Sequence, residues 1–166
     1  MIPAVADIHT HDPMALDAVI NLDRDMVMRD GALYSVGVHP WDHEPDFGWV
    51  ETMASHPQVV MIGECGLDRL RGPALDVQHE MLTRHVALSE RLGKPLLLHV
   101  VRAYAEILAL HKRVRPSQPW IVHGFRGKPA LALQLVKAGF YLSVGPDCPQ
   151  ATVDVIPLER LLHETD

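Results

Sequence analysis

Cysteine is nearly missing from this chain. The two present, Cys65 and Cys148, stand far apart and in no CxxC arrangement, which excludes a disulfide-stapled scaffold and a thiolate zinc site and fits a reducing compartment. Long apolar runs are missing too. The N-terminal stretch MIPAVADIHTHD meets charge almost at once, and no run approaches the roughly 18 residues that a membrane span needs. A cytoplasmic protein without a membrane partner is the expectation. Positive charge is in short supply: the net charge is −6 with histidine neutral, so no global field draws the chain onto nucleic acid or an anionic membrane. GxSxG, GxxxxGK[ST] and GxGxxG are all absent, which removes the nucleophile elbow, the P-loop and the dinucleotide fold. Repeats, low-complexity tracts and interdomain linkers are absent as well.

What is present is a half-apolar chain with thirteen prolines and eleven glycines spread along 166 residues, the composition of one domain around one core. Charge is distributed unevenly. Residues 94–137 hold eight Lys or Arg against one acid, Glu106, either as solvated helix faces or as a rim for an anionic substrate. Eight short β-type runs recur, at residues 4–9, 17–22, 33–38, 59–64, 95–99, 120–123, 140–144 and 160–165. Most are nearly continuous in apolar residues, as parallel strands covered on both faces must be. Amphipathic segments at 47–55, 76–92, 102–114 and 129–138 predict helices, opened or closed by Asp46, Gly93, Pro116, Pro129 and Gly139. Strand–helix alternation from Val59 onward favours an α/β fold of the (β/α)8 barrel type over an open doubly wound sheet. About seven and about ten residues join the first three runs, too few for crossover helices, so the barrel must be a reduced one with short early units.

Metal-type ligands gather where these runs end: His9 and His11 in VADIHTH, Glu64 in VVMIGE, His99 in PLLLHV, His123 in PWIVHGF and Asp166 in RLLHETD. A side chain at a barrel strand end is rigid yet open to substrate. Period-two alternation puts Asp7, His9 and His11 on one face. A single HxH is a weak signal; six ligands at the ends of five different runs are a strong one. Glu64 can offer one oxygen to each of two cations, its plain alternative being a cap or a buried ion pair with an arginine. Asp166 can hold an ion and accept the proton of the attacking water; its alternative is an ordinary surface acid. Imidazole and carboxylate without thiolate suit two divalent ions of Zn, Mn, Co or Fe, with Mg favoured only by a richer carboxylate set.

The motifs DIHTH, GVHPW, IGECGLD, LGKPLLLH, HGFRGKP, YLSVG and IPLERLLHETD, in this order from residue 7 to residue 166, resemble the TatD-type metal-dependent deoxyribonucleases of the amidohydrolase superfamily, and its short members most. The resemblance implies that His9 and His11 bind one ion with Asp166, that His99 and His123 bind the other, and that Glu64 bridges. It implies hydrolysis of phosphodiester bonds, in the manner of a 3′ to 5′ exonuclease on DNA ends. Arg102, Arg126 and Lys128 would then grip phosphate oxygens. His39 in GVHPW would contact substrate, or else serve only as a turn histidine before Pro40. Members of the family continue past ETD into a closing helix, so a single hydrolase barrel over residues 1–166, truncated at its C-terminus by roughly 30 to 50 residues, is the expectation. A hydrolase of small esters, lactones or phosphate esters is the alternative within this barrel, and a non-catalytic scaffold the alternative outside enzymes.

Overall fold

Eight strands lie in chain order in one sheet: β1 (Asp7–Thr10), β2 (Ala18–Asn21), β3 (Leu33–Val36), β4 (Val59–Asp68), β5 (Leu96–Val101), β6 (Trp120–Val122), β7 (Tyr141–Val144) and β8 (Leu161–His163). The computed structural model describes residues 1–166. All seven neighbouring pairs run parallel, and β8 returns beside β1 to form a nearly closed barrel. Side chains bridge that seam: the Asp7 carboxylate accepts from the Thr165 backbone N–H at 3.2 Å and from its hydroxyl.

Helices α1 (Phe47–Ala54), α2 (Leu75–Leu92), α3 (Tyr104–Val114), α4 (Pro129–Ala138) and the single turn α5 (Gln150–Val153) cover the outside from β3 onward. The first four fall where the sequence places them, for local reasons. Asp46 caps α1 by accepting from Trp49 N–H at 3.1 Å, and α4 starts with Pro129 in its first turn. Arg102 and Ala103, assigned to α3 from sequence, instead precede it, with Arg102 at φ 53°. Neither α5 nor the 3-10 turn Leu158–Arg160 was expected; both are too short for periodicity to reveal. The early units are bare, since β1, β2 and β3 are joined without helices.

Several strands end differently from the sequence expectation: β3 stops two residues early, at Val36, β5 runs two residues longer, to Val101, and the ends of β4 and β8 bear on the site. β4 does not stop at Glu64 but runs on to Asp68. Gly66 permits this: at φ 149° it packs so tightly on β5 that a Cβ there would collide with the His99 carbonyl. β8 stops at His163, so Asp166 lies three residues beyond the strand rather than on its last position. The apolar residues form two clusters. A large one fills the layer between strands and helices, while Ile8, Val19, Met61, Leu97 and Ile121 fill the barrel interior. An irregularity of pairing between Asp7 and Thr10 lets Ile8 join that interior cluster while His9 reaches the site above it, which strict alternation does not allow. Asp7, grouped by alternation with His9 and His11, is committed to the seam.

Candidate metal centre

The C-terminal ends of the strands bring the six ligand-type residues together. His9 lies in β1 and His11 just past it; Glu64 sits midway along β4, His99 within β5, and His123 directly after β6. Glu64 is the hub, and its two oxygens face different groups. Oε2 lies 3.0 Å from His9 Nε2 and 3.2 Å from His11 Nε2. Oε1 lies 2.7 Å from His123 Nε2, 3.4 Å from His39 Nε2 and 3.7 Å from His99 Nδ1. Asp166 joins the first group, 3.2 Å from His9 Nε2 and 3.6 Å from His11 Nε2.

These residues suit a cation. His9 is fully buried, yet neither of its ring nitrogens makes a hydrogen bond, although two carboxylates stand close by. Buried polar nitrogens are generally satisfied, Trp120 Nε1 being the other exception, and donors aimed at a common point rather than at one another are what ligation requires. His9, His11, Glu64 and Asp166 can each present one donor atom within 4.8 Å of the others, and so can His39, Glu64 and His99. Burial alone would lower the His9 pKa, but Asp166 and Glu64 outweigh it and push it up to about 9. Burial likewise opposes the charge on His123, and Glu164 and Glu64 raise it to about 10. Glu64 is held ionised well below the carboxylate range: burial works against this, and the four surrounding imidazoles prevail. A proton bound here in the ion-free protein occupies the place of a positive ion. Cys65 offers no thiolate, because its buried sulfur faces the Leu97 carbonyl and burial pushes its pKa up.

A second ring of groups, none proposed from sequence, orients the first. Asp68 Oδ2 is 2.9 Å from His99 Nε2 and accepts from Trp41 Nε1 at 2.6 Å. Glu164 Oε2 is 3.3 Å from His123 Nδ1, while its other oxygen accepts from Gly124 N–H at 2.7 Å. Each carboxylate thus takes the outer ring nitrogen and turns the inner one to Glu64, the arrangement that fixes tautomer and raises ligand basicity. Both belong to motifs already singled out, IGECGLD and HETD, but nothing in those motifs marks the second acid as the partner of an imidazole. The His39 arm is anchored from behind. Val38 N–H donates to His85 Nε2 at 2.8 Å, and His85 Nδ1–H donates to the Met81 carbonyl at 2.8 Å. Burial keeps that imidazole neutral, with its pKa down at about 4.

The residues expected to meet substrate are scattered more widely. His39 stands among the ligands, not out on a rim. It lines a cleft of 620 Å³. Arg102 and Arg126 line a second cleft of 410 Å³ on the other side of the site, and neither has an ion-pair partner. Lys128, exposed at the start of α4, lines neither cleft.

Comparison with known proteins adds to this geometry. Residues 8–166 match the family described as TatD related DNase. The chain is 31% identical to the uncharacterized metal-dependent hydrolase YabD of Bacillus subtilis, over 89% of this chain and 66% of that one. It is 33% identical to the 3′-5′ ssDNA/RNA exonuclease TatD of Cronobacter turicensis, over 82% of this chain and 57% of that one. It therefore spans roughly three fifths of the length of these two relatives. Among solved structures, YjjV, a TatD homolog from Escherichia coli K12, superposes with a TM-score of 0.77 at 23% identity, over 100% of this chain and 80% of that one, which speaks for the fold alone.

Proposed function

The chain belongs to the TatD-related DNase family, and from that membership and the site geometry we propose that it is a metal-dependent hydrolase of phosphodiester bonds acting on DNA ends, of the 3′ to 5′ exonuclease type named for the Cronobacter relative. The observation that carries this reading is the division of Glu64, one oxygen toward His9 and His11 and the other toward His99 and His123. His9, His11 and Asp166 would hold one divalent ion, His99 and His123 the second, and Glu64 both. The donor set suits Zn, Mn, Co or Fe, with Mg also admissible. Such ions supply Lewis-acid polarisation of the phosphate and acidification of water.

The chain's own groups do the rest. The Asp166 carboxyl, held ionised and below its usual range above all by His9, has a side chain that is 31% exposed. It can accept the proton of the water that attacks phosphorus, and that proton passes to the departing oxygen as the P–O bond breaks. Arg102 and Arg126 offer free guanidinium groups to non-bridging oxygens. His39, 3.4 Å from Glu64 Oε1, contacts the phosphate from the opposite side. Residues 1–166 act as a single barrel domain. No helix is long and apolar enough to cross a membrane. The net charge of −6 weighs against long duplex DNA and favours single-stranded ends or small phosphodiesters.

Metal analysis of the purified protein, followed by parallel assays on single-stranded DNA and bis-p-nitrophenyl phosphate, tests the reading. Turnover of both substrates, lost with chelator and restored by divalent ions, is expected. Hydrolysis of neither would transfer support to a hydrolase of small non-phosphate esters or to a scaffold.

A further inference from the structure

The two clefts that open on the metal site differ in charge. They share His99, His123 and Asp166 as a common wall. Beyond the ligand cluster the 620 Å³ cleft is lined by Asp23, Asp42, Glu44 and Asp46, with Trp41 and Trp49 among them. Its one lining cation, Arg24, pairs with Asp46 at 2.6 Å and lies 5.5 Å over the Trp49 ring, and Arg71 lies 3.6 Å over the Trp41 ring. The 410 Å³ cleft carries Arg102 and Arg126 against one acid, Asp147, and is floored by Tyr104 and Phe125. Neither arginine has an ionic partner, and Arg102 is fixed through its carbonyl, which accepts from Arg69 Nε at 2.7 Å.

A substrate bound across the site therefore meets two opposite fields. Resting on the phosphodiesterase reading, we propose that the structure sorts the substrate by charge: the phosphate-bearing chain lies in the arginine cleft, and an uncharged terminal nucleoside lies in the tryptophan and carboxylate cleft. Two indole rings give a base apolar and π surface. The carboxylates accept hydrogen bonds from sugar hydroxyls and base amino groups. A phosphate on that end would enter a cleft where Asp23, Asp42 and Glu44 have no ion-pair partner and outnumber the one unpaired cation nearby, Arg71 over the Trp41 ring, and juxtaposed like charges are a strong device against the wrong partner. The site is thus built for an end bearing a free hydroxyl, and the acidic cleft is what makes it read ends. A continuous strand, with a phosphate on each residue, is refused in the acidic cleft.

The test uses the metal-loaded protein and three versions of one short single-stranded oligonucleotide: both ends hydroxyl, a phosphate on the 3′ end only, and a phosphate on the 5′ end only. The hydroxyl-ended strand is hydrolysed. A phosphate on whichever end is released first lowers kcat/KM by about tenfold or more, and a phosphate on the other end leaves it within about twofold. The double variant Asp42→Asn/Glu44→Gln, which removes charge at two exposed positions and keeps their acceptors, moves the discrimination ratio toward one, as does high salt. Hydrolysis of all three strands at equal rates removes the sorting and leaves the phosphodiesterase reading standing. Hydrolysis of none removes that reading and this inference with it. A discrimination ratio unchanged in the double variant also overturns the assignment to these carboxylates.

Discussion

The barrel interior has two storeys, and they obey opposite rules. The lower one is Ile8, Val19, Met61, Leu97 and Ile121, all buried and all apolar. The upper one is His9, Glu64, His99 and His123, enclosed by the same strands but filled with ionisable groups, the last two only half-buried. β5 makes the point within three residues, since Leu97 serves the floor and His99 the site. Below, each side chain contributes by leaving water. Above, each is costly to bury and stays because its neighbours carry the opposite charge and, in the proposed function, because ions join them. Stability is therefore concentrated in one storey and chemistry in the other, and changes confined to one should leave the other nearly intact.

The largest effect comes from cutting the upper storey at its hub. Glu64→Ala should lower metal-dependent turnover by at least about a thousandfold while circular dichroism of the folded protein at neutral pH keeps the parent spectrum. Turnover surviving this change would break the comparison. The reciprocal change, Leu97→Ala, should cost about 2–5 kcal/mol in urea unfolding, with kcat per folded molecule retained. A milder cut is Asp68→Asn, which removes the charge behind His99 and keeps the shape. In the proposed two-ion site it should weaken binding of the ion at His99 by about 10- to 100-fold, read by calorimetric metal titration against the parent protein.

The smallest effect is a pH dependence. His9 and His123 have pKa values raised from 6.5 to about 9 and about 10, so protons on them stabilise the ion-free fold. That contribution is complete below pH 6.5 and is lost as pH rises through 9 and 10. The chelated protein should melt at a lower temperature at pH 9.5 than at pH 6.5, and the metal-loaded protein should not. His85 runs the other way. Its pKa of about 4 means that its contribution is present above pH 6.5 and lost as pH falls toward 4, so acid and alkaline limbs report on different parts of the molecule.

The sequence disclosed the two storeys unequally. His9, His11, Glu64, His99, His123 and Asp166 could be picked out because each follows a short apolar run, and strand ends of a barrel converge. All eight strands were readable for the same reason, and α1, α2 and α4 because caps, prolines and amphipathic spacing are local signals. Asp68 and Glu164 were not, since an acid two to four residues from a ligand looks like any solvated acid until the fold turns it onto an imidazole. The extension of β4 depends on how closely Gly66 approaches His99 across the sheet, a contact between positions 33 residues apart. The unequal clefts depend on loops after β2, β3, β5, β6 and β7, whose conformations no periodicity encodes.

β1 and β8 are tied where Asp7 accepts from Thr165, and the residue following Thr165 is Asp166, which faces His9 and His11. Breathing of the barrel at this joint and withdrawal of a ligand are therefore a single equilibrium. By linkage, whatever binds at His9, His11 and Asp166 shifts that equilibrium toward the shut barrel, and whatever loosens Asp7 from Thr165 lowers affinity at a point neither residue touches.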